Sequence, residues 1–155
     1  MSEQLANLGN VLPPITPEAL RKVCCAEDII RQSFPELPVQ TEHIIHGGMY
    51  ARTVRLPAGS IITGALLKVP TILIVNGSVR MMAGDQWFDL DGYQIMPARA
   101  GRKQVFLMRE PTEITMIFPT KAKTVEEAEA EFTDELGKLL SRRAGENDLI
   151  NITGE

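Results

Sequence analysis

The side chains that could support chemistry are few and widely spaced. His43 and His46 are the only histidines among the 155 residues, and they precede a strand-like run that carries Tyr50 and Arg52. A spacing of three residues on extended chain places the two imidazoles on opposite faces, which disfavours joint metal ligation. A hydrogen-bonded structural or pocket histidine is the better interpretation of each.

Arg52 is the most informative of these residues. By the two-residue period of a strand it shares a face with Tyr50, Val54 and Leu56, and the aliphatic members of that face belong in a core. Arg52 is therefore predicted to point inward, where a guanidinium needs an anionic partner or several carbonyls. The favoured interpretation is an internal ion pair, with Glu113 as the candidate partner. Recognition of a carboxylate or phosphate on a ligand is the alternative.

Further cations cluster later in an otherwise acidic chain, at Arg99, Arg102, Lys103 and Arg109. A solvated loop and strand edge is the favoured interpretation, and a site for an anion or an acidic partner is the second. Lys68 could serve as a pocket amine, although a lone lysine is a weak catalytic signal. No serine or cysteine triad, phosphate-cradling glycine loop or paired carboxylates occur in a fitting context, so no catalytic residue is predicted. The candidate ligand-binding residues are His46, Tyr50, Arg52, Lys68, Arg102 and Gln104.

Composition narrows the classes of partner. The formal net charge of -4 gives no general attraction to nucleic acid or to an anionic membrane, and an aromatic content of 5% leaves few platforms for base stacking. The only cysteines, Cys24 and Cys25, are adjacent and are interpreted as small buried hydrophobes. The N-terminus lacks the basic and apolar regions of a signal peptide, and no apolar run approaches the ~20 residues that span a bilayer. Cytoplasmic location is the expectation.

Three sections follow one another within one predicted globular domain: an N-terminal arm and helix over 1–41, a β-region over 42–119, and a C-terminal helix and tail over 120–155. Thr16 can cap the first helix, with Pro17 at its first position. Pro35 and Pro38 end it. Its apolar stripe comprises Leu20, Val23, Cys24, Ile29 and Ile30.

The β-region alternates short β-rich runs with glycine and proline. Asn76-Gly77 is a strong hairpin signal, and Ala83-Gly84-Asp85 and Asp91-Gly92 predict two further turns. Many short strands at such intervals predict a mainly β sandwich or barrel. The predicted strands are Tyr50–Leu56, Thr71–Val75, Val79–Met82, Tyr93–Met96, Val105–Met108 and Ile114–Phe118.

The last section returns to a helical pattern. Thr124 and Glu127 have the spacing of a capping box, and Gly145 ends the predicted helix. The last ten residues are expected to form a flexible tail. The apolar face of this helix comprises Val125, Ala128, Phe132, Leu136, Leu139 and Leu140.

The β-region resembles the cupin superfamily. In that family a proline-glycine turn leads into a strand carrying two histidines and a glutamate, and a glycine turn follows; here Leu56-Pro57-Ala58-Gly59 and Asn76-Gly77 stand at those places. The second cupin motif is echoed by the segments 92–97 and 100–104. The resemblance covers roughly residues 42–119 and implies an antiparallel β-barrel or jelly roll with the two helices packed outside.

The departures from the cupin motifs concern the metal ligands. Between Pro57 and Asn76 there is no His, Glu, Asp or Cys, and the position of the last motif histidine is occupied by Gln104. Cupin metals need imidazoles and a carboxylate, so the chain is predicted to bind no metal and no other cofactor.

The chain also resembles small cupin-like proteins encoded in tailed-phage genomes. The matching stretches are residues 46–53, 62–65 and 124–140. This resemblance implies a phage accessory or virion-associated setting, in the host cytoplasm or the virion, and it names no reaction.

Two functions of different class follow. The first is a non-enzymatic module that assembles with itself, as a homo-oligomer, or with another phage or host protein. The second is a small-molecule enzyme or sensor that recognises an anionic ligand in a metal-free barrel pocket. The β-region is apolar on both faces in Thr71–Val75 and Val105–Met108, which favours self-association because such strands must be covered twice.

Overall fold

Eight strands and two helices make up the computed structural model, which describes residues 10–37, 39–139 and 148–155. Helix α1 spans Pro17–Ser33, helix α2 spans Val125–Phe132, and a single 3-10 turn covers Leu136–Lys138. The strands are β1 (Gln40–His46), β2 (Met49–Leu56), β3 (Ile61–Thr63), β4 (Thr71–Ala83), β5 (Gln86–Ala98), β6 (Val105–Met108), β7 (Thr112–Pro119) and β8 (Leu149–Ile152).

The strands form one curled sheet in the order β3-β6-β4-β7-β2-β1-β8, with β5 on the other edge of β4. Every pairing is antiparallel except that of β1 with β8. Along one edge of β4, residues 72–76 pair with β7 and residues 79–82 pair with β6. The β4–β5 hairpin therefore belongs to both halves of the sheet. The predicted mainly β architecture, with one N-terminal and one C-terminal helix, is confirmed.

The predicted turns at Asn76-Gly77 and Asp91-Gly92 are not turns. Both segments lie inside the hairpin, at the point where it passes from one half of the sheet to the other. Asn76, Gly77, Asp91 and Gly92 all lie inside strands, and Gly77 and Gly92 are cross-strand partners. A Cβ at Gly77 would lie 2.2 Å from Oγ1 of Thr112, and Gly92 has a φ of 75°. The predicted strands Thr71–Val75 and Val79–Met82 are accordingly one long strand, and the predicted strand Tyr93–Met96 is part of the longer β5. Only the turn at Gly84-Asp85 is confirmed.

Helix α1 begins as predicted, because Thr16 accepts a hydrogen bond from the N–H of Ala19 and Pro17 stands at the first position. It packs on the outer side of the sheet, where Val23 contacts Met82 and Val105. The buried stripe differs from the predicted one, since it includes Glu27 and leaves Ile29 exposed. The cysteines are free; Cys24 is half-buried and Cys25 is exposed, so the expectation that both are buried was wrong.

The C-terminal section differs more from the sequence prediction. Thr124 caps α2 as predicted, but the helix ends at Phe132 because Thr133 is extended, donates to the carbonyl of Leu66 and bridges to the chain at Leu67. Leu149–Ile152, expected in a flexible tail, form β8 along β1. Leu140 and Gly145 lie outside the described residues.

The interior of the curled sheet is filled in two parts. The larger cluster lies between the two halves of the sheet and includes Leu73, Val79, Phe88 and Phe106. The second lies under α2, where Tyr50 and Phe118 meet Phe132. Polar side chains are buried between these two clusters, and they form the candidate site.

Candidate functional site: a buried cavity with two arginines

A cavity of about 120 Å³ opens between the sheet and the C-terminal elements. Arg52 enters it from β2, and Arg102 and Gln104 enter it from the segment that leads into β6. The rest of the wall is largely aliphatic and aromatic, and it includes Val54, Leu73, Phe106, Ile114, Met116 and Phe132. Such a lining, apolar with a few convergent polar groups, is typical of a small-molecule site.

Arg102 is the unusual member of this wall because its charge is buried without a counter-charge. Its side chain is 1% exposed, and among the described residues no carboxylate lies within 4.0 Å of it. Its guanidinium instead donates to Oγ1 of Thr71 at 2.8 Å, to Oε1 of Gln104 at 3.4 Å, and to the carbonyl of Arg99. Burial lowers the pKa of Arg102 to about 10, so it remains charged at neutral pH.

Arg52 has its carboxylate within the chain. It points inward, as predicted, in a row of cross-strand partners between His43 and Met116. Its Nη1 donates to Oε2 of Glu129 on α2 at 3.1 Å, and its guanidinium lies 5.6 Å from the ring centroid of Phe132. The predicted internal ion pair exists, but the proposed partner was wrong. Glu113 lies on the outer face of the sheet, where it pairs with Arg55.

Behind Arg52 a chain of hydrogen bonds leads away from the cavity. Nη1 of Arg52 lies 3.5 Å from Oη of Tyr50, which lies 2.7 Å from Nδ1 of His43. Nε2 of His43 lies 3.0 Å from Oδ2 of Asp148, just before β8. Burial, assisted by the charge of Arg52, lowers the pKa of His43 against the opposing effect of Asp148. Burial also raises the pKa of Tyr50 to about 12.

A separate group of charges lies between α1 and the 3-10 turn. Lys103 is 2% exposed, and its Nζ lies 3.0 Å from Glu27, 3.1 Å from Glu135 and 2.9 Å from the carbonyl of Gly64. Burial alone would raise the pKa of Glu135, but hydrogen bonds from Lys138, the N–H of Leu66 and Lys103 lower it to about 2. This network joins α1 to the 3-10 turn.

The expectation that the late cluster of cations is a solvated loop and edge was wrong for its two central members. Arg102 and Lys103 are buried, because the segment that carries them passes under α1 and the C-terminal elements rather than over the surface. Arg109 is half-exposed and pairs with Asp89. The charge density seen in the sequence is thus divided between an interior site and an ordinary surface pair.

The candidate ligand-binding residues are only partly brought together. Arg52, Arg102 and Gln104 line the cavity, and Tyr50 contacts Arg52 from behind. Two candidates lie elsewhere, on the surface: His46 bonds to Thr153 at 2.7 Å, and Lys68 pairs with Asp134 at 2.8 Å. The two histidines do lie on opposite faces, His43 buried and His46 half-exposed.

The residues missed from the sequence are the partners of these cations. Glu129 and Glu27 look like solvated positions of amphipathic helices, yet each is buried at a position that continues the apolar stripe of its helix. That continuation is a usable signal, since Glu129 follows Val125 by four residues and Glu27 follows Val23 by four. No comparable pattern in the sequence indicates that Asp148 is a partner of His43, because the last ten residues are not predicted to form a strand.

The described part of the chain contains neither a cluster of metal ligands nor a membrane-spanning helix. No group of three His, Cys, Asp or Glu side chains in residues 10–37, 39–139 and 148–155 is placed to hold a metal ion. No helix in the same residues is long and apolar enough to cross a membrane.

No protein-family model and no curated protein matches the sequence. Several solved structures are similar in fold. A cupin superfamily protein from Desulfitobacterium hafniense is 13% identical with a TM-score of 0.47, over 57% of this chain and 84% of that one. The cupin domain of Cnp3 from Schizosaccharomyces pombe is 13% identical with a TM-score of 0.44, over 68% of this chain and 81% of that one.

A salicylate 1,2-dioxygenase from Pseudaminobacter salicylatoxidans is 12% identical with a TM-score of 0.49, over 76% of this chain and 35% of that one. These likenesses concern the fold alone and carry no statement about ligand or activity. The strand topology described above is mainly β, with one curled sheet.

Proposed function

We propose that the chain is a binding module for a small monocarboxylate with a compact apolar body, held in the cavity with its carboxylate on Arg102. The observation that carries the proposal is the buried, charged guanidinium of Arg102, which has no carboxylate partner among the described residues. A buried charge without a counter-charge destabilises a protein by several kcal/mol, and an anionic ligand would remove that cost.

The donors of Arg102 suit a carboxylate. A guanidinium carries five N–H groups, and three are engaged, by Gln104, Thr71 and the carbonyl of Arg99. The remaining two belong one to each Nη atom. A carboxylate can accept both in the end-on, bidentate arrangement that gives strong and geometrically specific pairing.

The size and the walls of the cavity specify the rest of the ligand. A volume of about 120 Å³ compares with the roughly 150 Å³ of an apolar cavity that binds benzene. Leu73, Phe106 and Met116 offer apolar contacts and no polar groups. The ligand body is therefore no larger than a single ring or a short branched chain, as in benzoate or isovalerate.

Titration calorimetry with benzoate, and thermal melts in its presence, test this proposal. Benzoate at one hundred times its Kd is expected to stabilise the wild type by about 2.7 kcal/mol through mass action. Benzamide has the same shape without the charge and is expected to bind at least tenfold more weakly. The Arg102→Met variant should lose the difference between benzoate and benzamide.

Arg109→Met is the matched control, because Arg109 is a half-exposed arginine outside the cavity. It should leave benzoate binding unchanged. Equal stabilisation of the wild type and Arg102→Met by benzoate would overturn the assignment of Arg102. If neither benzoate nor isovalerate binds to the wild type, the proposal of a carboxylate site is wrong.

A second function, self-association, is favoured by the outer face of the sheet. Ile72 and Ile74 on β4 lie beside Pro97 and Ile95 on β5, and Ile72 and Ile95 are 45% and 52% exposed. Tyr93 extends this apolar surface. A contiguous apolar surface of this kind fits the same surface of a second copy across a twofold axis.

A setting in tailed phage, as an accessory or virion-associated protein, stays a prediction.

Light scattering at micromolar concentration tests this second function. A dimer is expected, and Ile72→Lys is expected to dissociate it because the introduced charge would be buried in the contact. Ile29→Lys provides the control, since Ile29 is an exposed isoleucine on α1 rather than on β4 or β5. A wild type that is monomeric at micromolar concentration would contradict self-association.

A further inference from the structure

The C-terminal strand β8 is held to the sheet at both of its ends. Before it, Asp148 accepts from Nε2 of His43 at 3.0 Å. After it, the hydroxyl of Thr153 bonds to Nδ1 of His46 at 2.7 Å. Between these contacts β8 lies at the edge of the sheet, pairs only with β1 among the described strands, and is exposed at every residue. Because its side chains are exposed, its attachment depends on these two contacts and on backbone hydrogen bonds to the chain of β1, among them that from the N–H of Thr153 to the carbonyl of Ile45, more than on packing.

Only one of these two side-chain contacts, that of Asp148 with His43, is connected to the cavity by hydrogen bonds. His46 is half-exposed and lies on the outer side. His43 is fully buried, and it connects through the hydroxyl of Tyr50 to Arg52, which lines the cavity. The same strand is thus fastened once through the interior and once at the surface.

The directions of the interior hydrogen bonds follow from the donors available. Arg52 can only donate, so Oη of Tyr50 accepts from it and donates its own proton to Nδ1 of His43. His43 then carries its proton on Nε2 and donates it to the carboxylate of Asp148. Successive donors of this kind polarise one another, so the positive charge of Arg52 strengthens each bond as far as Asp148.

We propose that β8 is a releasable strand whose pairing with β1 depends on the charge at the cavity. Tyr50 and His43 form the connection between Arg52 and Asp148. Neutralising Arg52 weakens the polarisation of the chain and loosens β8 from β1. A carboxylate bound on Arg102, in the cavity that Arg52 also lines, weakens this polarisation reversibly, and replacing both Arg52 and Glu129 removes it permanently. The ligand-driven part of this inference rests on the proposed binding of a carboxylate.

Hydrogen exchange of the backbone amides of residues 149–152 measures the release. Arg52→Met/Glu129→Gln removes both charges of the buried pair, so it avoids the unpaired charge that would endanger folding. It is expected to raise the exchange rate of β8 at least about fivefold, the equivalent of one ordinary hydrogen bond. Amides of β4 report global unfolding and are used to normalise the comparison.

Tyr50→Phe is the decisive variant, since it removes only the hydroxyl that joins Arg52 to His43. It should also raise β8 exchange, and adding the Arg52→Met/Glu129→Gln change should raise it no further. Thr153→Val provides the control for the surface fastening. It should raise β8 exchange while leaving the effect of the Arg52→Met/Glu129→Gln change at full size.

The ligand arm separates this inference from the proposed function. With saturating benzoate, exchange of β8 should rise in the wild type and in Thr153→Val but stay constant in Tyr50→Phe. Benzoate that binds without changing β8 exchange would overturn the ligand-driven release and leave the binding function intact. If Tyr50→Phe and Arg52→Met/Glu129→Gln both exchange as the wild type does, the connection itself is wrong, whether or not benzoate binds.

Discussion

Arg52 and Glu129 face each other across 3.1 Å in the interior, so that an ion pair joins the middle of β2 to the covering helix α2. Their side chains are 10% and 2% exposed. The desolvation of two buried charges largely offsets their attraction, so the pair adds little net stability. Breaking it, however, leaves one charge buried without its partner.

Substitutions at this pair should therefore be strongly non-additive. Arg52→Met alone is expected to lower the free energy of unfolding by about 3–5 kcal/mol, whereas Arg52→Met/Glu129→Gln should lie within about 1 kcal/mol of the wild type. Urea denaturation measures both. Arg55→Met is the control, because Arg55 is 42% exposed in its pairs with Glu42 and Glu113 and should change stability by less than about 1 kcal/mol. A double variant as unstable as Arg52→Met would contradict this account.

Stability should decrease as the pH falls below about 6.5. Burial and the charge of Arg52 lower the pKa of His43 from its usual 6.5, so the unfolded chain takes up a proton at a pH where the folded protein does not. Proton uptake by the unfolded state alone reduces the free energy of unfolding. Urea titrations between pH 5 and pH 8 measure the slope. His43→Gln should flatten it in this window, and an equal slope in that variant would assign the effect to other groups.

The two glycines at the bend of the β4–β5 hairpin should differ in their tolerance of alanine. A Cβ at Gly77 would lie within 3 Å of three atoms of Thr112, one of them its Cα, so Gly77→Ala should cost about 3 kcal/mol or more. Gly92 has open space around it, and its φ of 75° alone makes alanine cost about 1–2 kcal/mol. Thermal or urea unfolding measures both. A Gly77→Ala variant as stable as Gly92→Ala would contradict the close approach to Thr112.

The protein should purify without a transition metal. Residues 58–75 contain no His, Glu, Asp or Cys, and Gln104 is hydrogen-bonded to Arg102 inside the cavity. A site without imidazole, thiolate or carboxylate ligands has low affinity for iron, zinc, manganese or nickel. Elemental analysis after purification without a chelating resin checks this. One equivalent of any of these metals per chain would contradict it.

Features set by neighbouring residues could be predicted from the sequence. Thr16 and Thr124 cap their helices because a hydroxyl at that position satisfies a free N–H group three residues later, whatever the rest of the fold does. The inward direction of Arg52 follows from the two-residue period of β2. The strands Val105–Met108 and Met49–Leu56 were found within one residue for the same reason.

Features set by distant parts of the chain could not be predicted. Asn76-Gly77 has the composition of a tight turn, and only its pairing partners show that it lies inside a strand. Arg102 and Lys103 look solvated because charged side chains seldom lack exposure. In the fold Lys103 meets carboxylates of α1 and of the C-terminal section, and Arg102 bonds to Thr71 of β4. The choice of Glu129 over Glu113 as the partner of Arg52 depends on where α2 packs.

The division of β4 between two partners along one edge has a consequence for the order of folding. The β4–β5 hairpin closes on the two residues Gly84 and Asp85, so its contacts carry a small loop-closure entropy, whereas β7 and β6 must find β4 from a greater chain distance. We expect this hairpin to form early and to serve as the template for both halves of the sheet. Truncations at the cross-strand pair Val79 and Leu90 should then slow refolding, while truncation of Ile45 in β1 should mainly speed unfolding.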